Sequence, residues 1–101
     1  MEAERLFQDF YNSLAPPLRS VIEYKIRKRG GSPSEVFEKP WLLLHAVEQE
    51  MGKHTAELVD MLFVDFAAKR GVNPIVAAKA LHGPEEWRRF AEYLRNPMAW
   101  S

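Results

Sequence analysis

Prolines and glycines recur along this chain at intervals that leave room only for short, separate segments. They stand at positions 16–17, 30–31, 33, 40, 52, 71, 74, 83–84 and 97. A proline is tolerated in the first turn of a helix but not in its interior, and a glycine commonly follows the last helical turn. Between these breaks, apolar residues recur at the i, i+3, i+4, i+7 spacing of an amphipathic helix. The pattern therefore predicts a succession of helices with proline-marked corners.

The apolar stripes and the breaks together set the helix bounds. We predict helices over 3–14, 16–29, 40–51, 53–70, 73–82 and 84–95. A single turn at 32–39 is expected to begin with a capping box, in which Ser32 caps the turn and Glu35 completes the box. No stretch alternates as a strand would. The fold class is all-α, a compact irregular bundle of five to six helices forming one domain over residues 1–101.

The 53–70 helix is apolar on more than one side. Its main stripe predicts a core-facing set: Thr55, Val59, Leu62, Phe63, Phe66 and Ala67. Leu58, Met61 and Val64 lie off that stripe, among acidic residues. A helix with two apolar sides is either central in the bundle or paired with a partner. Two possibilities remain for what packs against this second apolar side: the C-terminal helices of the same chain, or the same helix of a second copy in a two-fold interface.

Composition excludes several classes of protein. The chain has 101 residues and no cysteine, which removes disulfides and thiolate metal sites and favours a reducing, cytoplasmic location. Its longest apolar run is far shorter than the roughly 20 residues of a membrane span. Fourteen basic and fourteen acidic residues cancel, so the chain lacks the field that draws proteins to nucleic acid.

The segment HAVEQEMGKH, residues 45–54, places two histidines around two glutamates. His45 and Glu48 could share a helix face, but the glycine at 52 turns the chain before His54. We therefore interpret the segment as a corner between two helices. No other spacing in the chain matches a catalytic, metal or cofactor motif, and no small-molecule substrate is indicated, so we predict no enzyme and no cofactor.

A basic cluster lies at the end of the second predicted helix. Its four cations are Lys25, Arg27, Lys28 and Arg29, and Arg88 and Arg89 in the last helix could extend it if the fold brings the two together. At about 100° per residue the four cations scatter around the helix, so a stabilising interaction with the helix dipole is the simpler interpretation. A phosphate-contacting surface is the alternative.

Several hydrophobic residues have no evident place in the core. They suggest a surface for a protein partner or a second copy: Trp41 with its neighbour His45, then Leu58, Met61 and Val64, and finally Met98 and Trp100 in the tail. An exposed indole favours burial or a partner. The tail either folds back over the bundle, where Trp41 could receive it, or docks on another subunit.

The stretch VIEYKIRKRGGSPSEVFEKPWLLLHAVEQEMGKHTAELVDMLFVDFAAKRG follows a specific order of helix, glycine, short capped turn, proline-opened helix, glycine and apolar helix. Over residues 14–71 it resembles the small archaeal helical domain called the Nitrosopumilus output domain, with Gly30, Pro40, Ala46, Gly52, Ala56 and Gly71 as anchors. Met51 and residues 72–101 depart from that pattern. The resemblance implies a regulatory output module without catalytic residues and a thermophilic archaeal source, in line with the absence of cysteine.

These observations together predict a non-enzymatic helical interaction module. It would act by self-association as a homodimer or other homo-oligomer, or by docking a protein partner. The alternative is a small nucleic-acid-binding transcriptional regulator that uses the basic helix end.

Overall fold

The computed structural model describes residues 2–96, and in that range the chain forms seven helices. Their bounds are α1 Ala3–Ser13, α2 Pro16–Lys28, α3 Glu35–Glu38, α4 Trp41–Met51, α5 Lys53–Lys69, α6 Pro74–Ala77 and α7 Pro84–Arg95. Five are full helices, and α3 and α6 are single turns. No strand occurs within residues 2–96, so the all-α prediction is confirmed.

The predicted corners coincide with the observed helix ends. Pro16, Pro74 and Pro84 each occupy the first turn of a helix. Gly71 has a φ of 86°, and the chain around it closes α5 with the Val72 N–H donating to the Ala67 carbonyl at 3.0 Å. This six-to-one hydrogen bond around a left-handed glycine is the Schellman ending, which L-residues with a Cβ adopt at a cost.

Two local predictions differ from the structure. The Ser32 hydroxyl lies 3.0 Å from the Ser34 hydroxyl, and α3 begins at Glu35 without a side-chain cap, so the capping box is not formed. The predicted 73–82 helix ends at Ala77. Beyond it the chain continues in tighter turns, in which the Ala80 N–H donates to the Ala77 carbonyl at 3.2 Å, an i→i+3 bond typical of 3₁₀ geometry.

An aromatic cluster forms the centre of the molecule. The rings of Phe10 and Phe63 meet edge-on with centroids 5.2 Å apart, and Phe63 packs similarly on Phe90 at 5.8 Å. Trp87 and Phe7 extend the cluster, so α1, α5 and α7 share one core. Edge-on ring pairs add stabilisation beyond the area that they bury. The Cα radius of gyration is 13.2 Å, which agrees with the roughly 13 Å of a compact domain of this length.

Polar pairs join the helices at the edge of this core. The Arg70 guanidinium donates to the Asp9 carboxylate at 2.7 Å and lies over the Phe66 ring, linking the end of α5 to α1. Lys25 and Glu50 form an ion pair at 3.4 Å between α2 and α4. Among the described helices, none is both long and apolar enough to cross a bilayer.

Candidate functional site

The outward face of α5 carries three large hydrophobic side chains in solvent. Leu58 is 55% exposed, Met61 67% and Leu62 45%. Their i, i+3, i+4 spacing places them side by side on the helix surface. We call these three residues the outer stripe. Contiguous exposed apolar surface of this kind marks an interaction site more often than scattered single residues do.

The opposite face of α5 explains why the helix forms here. Ala56, Val59, Phe63 and Ala67 are buried at the i, i+3, i+4 spacing against the core. Helix α5 packs mainly on α4 and α6, with a further contact to α1. Since these neighbours occupy the inner side, no described helix covers Leu58 or Met61, and the C-terminal helices of the same chain do not provide that cover.

The other described residues that were predicted to bind a partner are less exposed than the outer stripe, except for His45. Val64 and Trp41 are partly buried and pack against the core. His45 is exposed on α4, and its Nε2 lies 3.0 Å from the Gln49 amide nitrogen. Met98 and Trp100 lie outside the described residues, so the two predicted positions of the tail stay predictions. Leu58, Met61 and Leu62 are thus three of the six large hydrophobic residues that are exposed in the described part, and they are the three that lie side by side on one helix; the others are Tyr24, Met51 and Ile75.

Leu62 is a residue that the sequence pattern placed in the core. At about 100° per residue, it lies between the inner Val59 and the outer Leu58 on the helix circumference. The structure leaves it nearly half exposed because no helix packs against that side of α5. The assignment to the core stripe was wrong, and the outer stripe is larger by one leucine than the pattern predicted.

A cleft of about 420 Å³ opens beside α5, between α4 and the turn that precedes α7. Trp41, Leu44, Ala56 and Leu81 form its apolar walls, and its polar lining comprises His45, Glu48, Lys53, Glu57, Asp60 and His82. No hydroxyl or thiol side chain is among these lining residues. A histidine–carboxylate pair here thus lacks the serine, threonine or cysteine that such pairs activate in nucleophilic catalysis.

That pair consists of His82 and Asp60, whose Nε2 and Oδ2 atoms are 2.8 Å apart. It joins α5 to the turn before α7. The second oxygen of the carboxylate, Oδ1, is buried and has no hydrogen-bond partner. The pair could not be predicted from the sequence, because its two residues are 22 positions apart and no local motif indicates such a contact.

The histidines of the 45–54 segment are not brought together. His54 lies wholly in solvent, with its Nδ1 3.9 Å from the Glu57 carboxylate one turn along α5, whereas His45 contacts Gln49 on α4. Within residues 2–96, no group of three or more histidine, aspartate and glutamate side chains is arranged to hold a metal ion. The segment is the corner between α4 and α5.

The basic residues of the nucleic-acid alternative are distributed over two separate surfaces. Helix α2 packs on α4, whereas α7 packs on α1 and α6. Arg88 donates to the Glu85 and Glu92 carboxylates, and Arg89 pairs with Glu85 at 3.5 Å. The Arg88 hydrogen bond lowers the pKa of Glu85, and the same contact raises the pKa of Arg88. These two arginines are therefore neutralised within their own helix.

The four cations at the end of α2 differ in what their side chains contact. Lys25 is held by Glu50, and the Lys28 ammonium lies 5.9 Å from the Tyr24 ring centroid. Arg27 and Arg29 are exposed. Of the six basic residues considered for phosphate contact, only three at the end of α2 thus remain outside carboxylate pairs in the described chain.

Comparison of the chain with protein-family models, with characterised proteins and with solved structures finds no match. The resemblance over residues 14–71 accordingly stays a prediction.

Proposed function

We propose that this protein is a non-enzymatic interaction module that self-associates through the outer stripe of α5. The observation that carries the proposal is the exposure of Leu58, Met61 and Leu62 on one helix face. Burying a leucine or methionine side chain fully is worth roughly 1.5–3 kcal/mol, so even the partial burial of three such side chains per copy is a substantial contribution.

The charges beside the stripe favour a second copy over a strongly charged partner. Asp65 and Lys69 form an ion pair at 3.0 Å at one end, and at the other end the Nδ1 atom of His54 lies 3.9 Å from the Glu57 carboxylate. A surface of mixed sign does not repel its own copy. Two-fold self-association is also the commonest arrangement of homo-oligomers.

The test is the mass of the protein in solution over a range of concentrations. We expect a rise from 11.7 kDa toward twice that mass in sedimentation equilibrium. Met61→Glu should weaken association at least tenfold, about 1.4 kcal/mol, because it places two carboxylates in an apolar contact and removes apolar area.

The matched control is Ile75→Glu. Ile75 is 83% exposed, but it lies on α6 and not on the outer stripe. This variant should associate as the wild type does. A wild-type mass that stays at 11.7 kDa up to millimolar concentration would contradict the proposal, as would equal losses in the two variants.

A further inference from the structure

A groove of about 540 Å³ lies between α6 and α7, and its walls are mostly apolar. Ile75, Val76 and Phe90 are among the residues that line it. Ile75 is 83% exposed, the highest value among the large hydrophobic residues that the structure describes. Because apolar surface is more stable away from water, this α6–α7 groove favours an apolar segment that can cover it.

Helix α7 leads the chain out beside this groove. Arg89 lines the groove, and Asn96 follows it by seven positions, close to two helical turns, so the two residues lie on the same side of α7. The helix ends at Arg95, and Asn96 has the non-helical values φ −144° and ψ 76°. Pro97 has no N–H to continue the helix. The chain therefore leaves α7 on the side of the groove.

The segment that follows Asn96 is long enough to reach the groove. At a rise of 1.5 Å per residue, Asn96 lies about 10 Å beyond Arg89 along the helix axis. Four extended residues span at most about 13–14 Å, so Trp100 can return to the level of Arg89. The four residues are Pro97, Met98, Ala99 and Trp100, which lie outside the described range and carry no charge. Their composition matches the apolar walls of the groove.

The other exposed apolar surfaces of residues 2–96 are less suited to this segment. The cleft beside Trp41 and the outer stripe of α5 contain no residue of α7. The groove, in contrast, has α7 itself as one wall. A docking site next to the point of attachment needs only a short connection, and a short connection costs less entropy to close than a long one.

We propose that residues 97–100 fold back into the α6–α7 groove of the same chain, where the Trp100 indole covers Ile75. The groove and the outer stripe share no residue. The proposal is therefore independent of self-association through α5.

The first test compares the nuclear magnetic resonance spectra of the wild type and Trp100→Ala. We expect shifts at the amides of Ile75, Val76 and Ala80, and none at Leu58 or Trp41. Shifts at Leu58 or Trp41 instead, or shifts confined to the residues next to position 100, overturn the proposal.

A mixture distinguishes the same chain from a second copy. Isotope-labelled Trp100→Ala is mixed with an excess of unlabelled wild type and left to exchange subunits. If the segment docks within its own chain, the labelled spectrum stays that of Trp100→Ala. A return of the Ile75 and Val76 amides to their wild-type positions means that the segment of another copy fills the groove, which overturns the proposal.

A pair of variants tests the contact from the side of the groove. Ile75→Ser and Leu58→Ser each remove an exposed aliphatic side chain, one in the groove and one on the outer stripe. The order parameter of the Trp100 amide should be about 0.85 in the wild type and in Leu58→Ser, and below 0.6 in Ile75→Ser. A value below 0.6 in the wild type, or equal values in the two variants, overturns the proposal.

Discussion

His82 Nε2 lies 2.8 Å from Asp60 Oδ2, a contact that holds the turn before α7 against the middle of α5. The aspartate side chain is 20% exposed and that of the histidine is 46% exposed. The contact is therefore partly shielded from water. It lies near the middle of α5 on the cleft side, away from the outer stripe.

Asp60→Asn tests how much this contact contributes. The substitution keeps the shape of the side chain and removes its charge, so we expect a loss of about 1 kcal/mol in the free energy of unfolding. For a domain of this size that corresponds to a fall of about 4–8 °C in the thermal midpoint, measured by circular dichroism. Asp65→Asn breaks an exposed ion pair on the same helix, worth only about 0.3–0.5 kcal/mol, and should lower the midpoint less.

A double-mutant cycle with His82→Asn measures the interaction energy between Asp60 and His82 apart from their other contacts. If the two residues stabilise the fold together, the combined variant loses less than the sum of the single losses. Strict additivity would contradict the role given to this contact.

The helix ends could be predicted from sequence because the residues that make them act locally. Gly52 and Gly71 have positive φ values of 94° and 86°, and Pro74 stands in the first turn of α6 after Asn73, whose side chain accepts from the Ile75 N–H at 2.9 Å. Each of these signals depends on a few neighbouring residues. The prediction of the all-α class followed from them.

The candidate surface could be predicted only in part because exposure depends on distant elements. Leu58 and Met61 were separated from the core stripe by their angle on the helix. Leu62 lies between the buried face and the outward face of α5, and its exposure depends on where α4 and α6 pack. The Asp60–His82 contact depends likewise on the path of the chain through α6, which no local spacing records.

Tyr11 gives a prediction about alkaline stability. Its hydroxyl donates to the Glu23 carboxylate at 2.7 Å, joining α1 to α2, and burial followed by this contact raises the pKa of Tyr11 well above its usual range. Above about pH 10 an unfolded tyrosine loses its proton while the folded one keeps it. The stability that Tyr11 contributes is therefore complete below pH 10 and is lost as the pH rises further.

Tyr11→Phe should lower the free energy of unfolding at pH 7 by about 1 kcal/mol and make its decline above pH 10 less steep. Urea unfolding at a series of pH values measures both effects. Glu23→Gln should give an intermediate slope, because burial, the largest cause of the raised pKa, remains. A wild-type slope in Tyr11→Phe would show that this side chain does not contribute to alkaline unfolding.

Gly52 joins α4 to α5 in a conformation open almost only to glycine, with φ 94° and ψ 167°. The backbone conformation, and not a lack of space, restricts this position to glycine, since a Cβ here would meet nothing within 4 Å. Gly52→Ala should therefore cost about 1–3 kcal/mol in backbone strain. The neighbouring Lys53→Ala, at an exposed position, should stay within about 0.5 kcal/mol of the wild type in the same denaturant titration.

The nucleic-acid alternative predicts retention of random duplex DNA in a gel at low salt. We expect no retention, because Lys25, Arg88 and Arg89 are paired with carboxylates. If DNA is bound, Arg29→Ser should reduce the salt dependence of binding by one phosphate contact, whereas Arg88→Ser should not. That pair of results would favour the basic end of α2 over the outer stripe as the functional surface.

Self-association through the outer stripe also predicts that thermal stability depends on protein concentration. A second copy binds the folded chain and not the unfolded one, so mass action raises the thermal midpoint as the concentration rises. The wild type should show this rise in scanning calorimetry. Ile75→Glu, changed at an exposed position of α6, should show it as well.

Leu58→Glu should abolish that dependence without unfolding the chain. Leu58 is 55% exposed and contributes little to the core, so its replacement leaves the buried face of α5 intact. The midpoint of this variant should match that of the wild type extrapolated to high dilution, and it should stay constant over at least a hundredfold range of concentration. A midpoint far below that limit would show instead that Leu58 stabilises the single chain, and the role of the outer stripe as an interface would have to be rejected.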